Sequence, residues 1–125
     1  MRWKLAIPAV IFSIALLAGM GSADEKSTSV TGYVLDSACA FTKDLKKPIS
    51  EKCALACANG GSPLVILSDD GVIYWPIAGT TPSSGQNPKL MRFAAKKVTV
   101  TGKVYERGGS RAIVIEKIEA SAPAS

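Results

Sequence analysis

KKVTVTGKVYE, residues 96–106, alternates more regularly than the rest of the chain. Val98, Val100, Gly102 and Val104 fall on one side of an extended backbone, with Thr99, Thr101, Lys103 and Tyr105 on the other, because successive strand side chains point to opposite faces. One face suits a core and the other suits water. A glycine stands in the middle of the apolar row. Glycine weakens a strand, so its presence there marks a bend, a bulge or a close approach of another backbone. The pattern recurs near the start, where VTGYV at 30–34 answers VTGKV at 100–104. Two strands with a central glycine predict a sheet coiled into a small closed barrel rather than a flat one.

The flanking segments complete the element order. SVTGYVL (29–35) is the first strand, rich in β-formers. PLVILSDDGVIYWPI (63–77) is two apolar runs split by Asp69, Asp70 and Gly71, a hairpin signal that explains the adjacent carboxylates without catalysis. AGTTPSSGQ (78–86) reads as a loop, and NPKLMRFAA (87–95) as a short helix with Asn87 as N-cap and Pro88 at its first position. A turn at Gly108, Gly109 and Ser110 leads into a last strand, RAIVIEKIEA (111–120). SEKCALACAN (50–59) reads as a helix capped by Ser50 and stopped at Gly60. Strand, hairpin, short helix, hairpin is the order of the OB-fold. The expected class is therefore mainly β. It is a five-stranded OB-like barrel with a cysteine-bearing helix inserted after strand 1 and a short helix before strand 4.

The N-terminus, MRWKLAIPAVIFSIALLAGMGSADEKS, has the order of an export signal. Arg2 and Lys4 precede an apolar run over 5–17, and Gly21, Ser22 and Ala23 offer a cleavage site. The run is short of the roughly 20 residues that a membrane span needs. Residues 1–23 are thus expected to be a signal peptide and 24–125 a single exported domain, periplasmic or secreted, with no stable membrane span after cleavage. The net charge of +5 includes Arg2 and Lys4, and their removal lowers it by two, to +3. The remaining basic residues are dispersed, with doublets only at Lys46-Lys47 and Lys96-Lys97. Nucleic-acid binding would need a concentrated basic face, so no nucleic-acid partner is expected.

GYVLDSAC, EKCALACANGGSPLVIL, DGVIYWP, NPKLMRFAAKKVTVTGKV and AIVIEKIE resemble segments of a group of small exported bacterial OB-like domains. Their particular mark is Asp-x-x-Cys followed by Cys-x-x-x-Cys. The resemblance covers nearly all of residues 30–119 and implies a fold, not an activity. It also implies a histidine shortly before the first helix cysteine. This chain contains no histidine, so no Cys/His metal site carries over.

Cys39, Cys53 and Cys57 are the only cysteines, an odd number for an exported chain. Four-residue spacing puts Cys53 and Cys57 on one helix face with Cα atoms roughly 6 Å apart. A bridge between them would be strained, because a disulfide needs Cβ atoms about 3.8 Å apart. The first reading is a disulfide from Cys39 to one helix cysteine, leaving one thiol over. The alternatives are a soft-metal site for Cu or Zn using all three thiolates, with Asp36 as the nearby acidic candidate for a fourth ligand, inert thiols packed as small hydrophobes, or thiol redox chemistry.

Catalysis has little support. Without histidine there is no Ser-His-Asp or Cys-His pair, and thioredoxin-type Cys-x-x-Cys is absent. Tyr33, Tyr74, Trp75 and Tyr105 are candidates for a ligand face, since barrels of this kind bind oligosaccharides. One of the adjacent pair Tyr74 and Trp75 must face inward. The expected function is a small exported binding module, not an enzyme, for a small ligand, sugar or protein partner, with metal handling or redox chemistry at the cysteines as the alternative.

Overall fold

The computed structural model describes residues 27–43 and 50–121. The expected signal peptide and the Lys46-Lys47 doublet lie outside these residues. No helix among the described residues is long and apolar enough to cross a membrane.

Five strands close into a barrel: β1 (Ser27–Asp36), β2 (Leu64–Ser68), β3 (Ile73–Pro76), β4 (Lys97–Arg107) and β5 (Ser110–Ala120). The order around the barrel is β1-β2-β3-β5-β4, with β4 returning to β1. Every pairing is antiparallel except β3 with β5. This is the OB-like barrel expected from the element order. Among the described residues three helices accompany it: α1 (Ser37–Thr42), α2 (Glu51–Asn59) and α3 (Asn87–Leu90), the last continued by a 3-10 turn over Met91–Phe93.

The register follows the alternation in the sequence. Val30 of β1 lies opposite Val100 of β4. Both are buried, with Val34, Ile66, Leu90, Val98 and Ile113, in the core inside the barrel. Thr99 and Thr101 face outward, where their hydroxyls meet those of Thr31 and Ser29 at 3.3 and 3.2 Å. The central glycines are steric requirements. A Cβ on Gly32 would overlap the Leu67 carbonyl of β2, and one on Gly102 the Val114 carbonyl of β5. The β4–β5 register shifts between Thr101 and Gly102, the kink that lets a strongly coiled sheet close.

A second apolar layer lies outside the barrel. β2 is buried on both faces: Leu64 and Ile66 point into the core, while Val65 and Leu67 pack with Leu35 and Ala40 under the outer face. Ala40 belongs to α1, so this short helix covers the β1–β2 surface. No helix is expected there from the sequence. What starts α1 is Asp36, whose side chain accepts the N–H groups of Ala38 and Cys39 at 3.1 and 3.3 Å, an N-cap on a helix too short to show periodicity.

Asn87 also differs from expectation. The N-cap of α3 is Gln86, without a side-chain cap bond, and Asn87 is the first helical residue. Its carboxamide instead accepts Leu64 N–H at 2.8 Å and donates to the Ser62 carbonyl at 2.9 Å. It ties α3 to the entry of β2.

Candidate metal centre

Each cysteine is placed by a local rule. Ser50 caps α2 by accepting Cys53 N–H at 3.1 Å, as the sequence indicates. Ala54 and Ala58 are the buried residues of α2, and Ala58 joins the barrel core. That packing leaves Cys53 exposed and Cys57 at the margin of the buried stripe. Cys39 sits in the first turn of α1, buried against the barrel. The two helices are held together through Ser62, just beyond α2. Its N–H donates to the Cys57 carbonyl at 3.0 Å, and its hydroxyl donates to Asp36 Oδ2 at 2.8 Å. Ser37 N–H, at the start of α1, donates to the Pro63 carbonyl at 2.8 Å.

The result is a convergence of sulfurs. The Sγ atoms of Cys39, Cys53 and Cys57 all lie within 4.8 Å of one another. All three thiols are free. The disulfide from Cys39 to the helix is therefore not formed in this structure. The thiols share one site, and a bond between any two would leave the third alone beside it.

Asp36 is fully buried. Burial alone would push its carboxyl up, but hydrogen bonds from the Cys39 thiol, the Ser62 hydroxyl and the N–H groups of Cys39 and Ala38 outweigh this and hold it below its ordinary range. The same contact acts oppositely on the thiol. Its hydrogen bond to Asp36, burial and the nearby negative charge push Cys39 up to about 12. Burial, then the charges of Asp36 and Cys53, also raise Cys57. A reactive cysteine needs a lowered pKa. Cys39 and Cys57 are moved the other way.

The donor set suits a soft ion. Three sulfurs about 2.3 Å from a common metal are about 4 Å apart in a trigonal plane, within the spread found here. Asp36 is not part of the sulfur cluster. Its oxygens accept from the α1 cap N–H groups and from Ser62, which fixes the turn that carries Cys39.

The expected ligand face separates into three places. Tyr74 is buried in the barrel core, its hydroxyl accepting from Arg111 Nη1 at 3.3 Å. Tyr33 packs on the outer layer beneath Lys97, whose Nζ is 5.9 Å from the ring centroid. Trp75 faces outward and stacks with Phe41 of α1 at 6.1 Å between centroids, while Tyr105 is exposed near the end of β4. Phe41 escaped the sequence reading because α1 did. The signal available was an aromatic two residues beyond Cys39.

Searches of protein-family models, curated proteins and solved structures give no match to this chain.

Proposed function

We propose that this protein is an exported OB-like barrel that binds one soft metal ion, Cu(I), through Cys39, Cys53 and Cys57. The observation that carries the reading is the mutual approach of the three Sγ atoms to within 4.8 Å. Thiolates select Cu(I) and Zn(II) among common ions. Structural zinc takes four protein ligands, whereas the cluster among the described residues offers three thiolates, the number that completes a trigonal Cu(I) site. Export is supported by the signal-like order of residues 1–23. It also gives the metal a protective role, since uncoordinated thiols outside the cytosol oxidise. Binding must displace the proton that Cys39 holds at neutral pH, so affinity rises with pH.

The role is binding rather than catalysis, supported by a chain without histidine and by thiols moved away from reactivity. The test is anaerobic titration of the reduced protein with Cu(I). One equivalent should protect all three thiols from a thiol reagent, and Cys39→Ser, Cys53→Ser and Cys57→Ser should each weaken retention sharply. A stable disulfide in natively purified protein, found by non-reducing peptide mapping with no metal bound, would restore the structural-bridge reading instead.

A further inference from the structure

A groove of about 500 Å³ runs across the outside of the barrel, formed by Phe41 of α1, Trp75 of β3, Tyr105 and Arg107 at the end of β4, and Ser110 and Arg111 at the start of β5. It brings together α1, the β3 face and the β4–β5 turn. Phe41 is 64% exposed and Tyr105 42% exposed, and they are the exposed large apolar side chains of the described residues. Phe41 and Trp75 stack with 29° between their planes, so the two rings meet as one aromatic pair at the groove. Arg111 pairs with Glu106, 3.5 Å from its Nε, and donates to the Tyr74 hydroxyl. Arg107 is exposed and pairs with no carboxylate among the described residues.

We infer that this groove binds acidic oligosaccharides, with sugar-ring faces against the exposed rings of Phe41 and Tyr105 beside Trp75, and uronate carboxylates on Arg107 and Arg111. Aromatic faces offer broad apolar contact with a polar edge, which matches the C–H face of a pyranose. Guanidinium groups accept planar carboxylates in bidentate geometry, and two arginines on one groove call for an anion. The groove's exposed large apolar side chains are two, Phe41 and Tyr105, far from the roughly 800 Å² that each partner of a stable protein interface contributes. A nucleic-acid strand would need a longer basic path than two arginines, one already paired with Glu106. The inference does not depend on the thiol site.

The test is calorimetric titration of the full chain with hexamers of galacturonate, mannuronate and glucuronate, with methyl-esterified hexagalacturonate and cellohexaose as neutral probes and a thymidylate oligomer as the nucleic-acid probe. At least one uronate hexamer should bind, and esterification or added salt should weaken binding about tenfold, the worth of a charged hydrogen bond. Phe41→Ala and Arg107→Gln should each lower affinity by a similar factor without moving the melting temperature, because both side chains are exposed. The inference is overturned if no uronate hexamer binds, if neutral and acidic hexamers bind equally, if thymidylate binds more tightly, or if neither variant changes affinity.

Discussion

The hydroxyl of Ser62 donates to Asp36 Oδ2 across 2.8 Å, although 26 residues separate the two in sequence. This bond closes the cysteine insertion. Asp36 ends β1 and starts α1 with Cys39 in its first turn. Ser62 follows α2 and binds the Cys57 carbonyl. One carboxylate therefore sets the distance between the two helices that carry the three sulfurs.

Asp36→Asn should lower stability by about 2 kcal/mol at pH 7, from a weakened cap and a poorer acceptor for Ser62 and Cys39. The pH dependence has a definite sign. The carboxyl is held below its ordinary 3.8 in the folded chain, so its contribution is complete above that value and is lost as pH falls through the lower folded value. Denaturant unfolding at a series of pH values should show the gap between wild type and Asp36→Asn closing below about pH 4. A gap independent of pH would contradict the ionised, hydrogen-bonded carboxylate.

Gly102→Ala should cost roughly 3 kcal/mol or abolish folding, because overpacking here meets backbone rather than a movable side chain. The added Cβ would overlap the Val114 carbonyl. Gly71→Ala is a useful comparison, since open space surrounds that glycine and only its φ of +85° resists. A penalty of about 1 kcal/mol is expected there. Similar melting temperatures for the two variants would contradict the close approach at Gly102.

The barrel register is checked by two adjacent positions. Val100 is fully buried, and its replacement by alanine should cost about 2 kcal/mol. Thr101 faces outward with a hydroxyl contact to Ser29, and its replacement should cost well under 1 kcal/mol. Equal losses on chemical denaturation would mean the strand is turned over.

Asn87→Ala removes the acceptor for Leu64 N–H and the donor to the Ser62 carbonyl. A destabilisation of about 2 kcal/mol is expected, above that of a simple cap loss, because a partly buried N–H is left without its partner. Since Ser62 also holds Asp36, amide exchange should quicken at α1 and around Ser62 as well as at α3. Quickening confined to α3 would show that Asn87 does not brace the site.

The barrel was legible in the sequence because its signals repeat. The alternation at 98–104, the echo of VTG in β1 and β4, and the Asp-Asp-Gly turn all say the same thing, and β4, β5 and the β2–β3 hairpin lie where they indicate. The capped helix bearing Cys53 and Cys57 was legible for the same reason, from Ser50 and Gly60. α1 was not. Six residues give too few positions for a helical period, and what holds α1 is a buried cap and an outer apolar layer visible only once the barrel has closed. The convergence of Cys39 on the other two sulfurs depends on that helix and on the Asp36–Ser62 bond. Spacing along the chain therefore left disulfide, metal and inert thiols side by side. The aromatic groove was half legible: Trp75 and Tyr105 stood out as aromatics, whereas Phe41 and the two arginines join them only through tertiary structure.

X-ray absorption of the Cu(I)-loaded full chain tests the three-thiol centre most directly. Three sulfur neighbours and no nitrogen or oxygen neighbour are expected in the first coordination shell, falling to two sulfurs in each of Cys39→Ser, Cys53→Ser and Cys57→Ser. A wild-type shell of two sulfurs unchanged in one serine variant, or copper lost on desalting of the reduced wild-type protein, would contradict a site built from Cys39, Cys53 and Cys57 together.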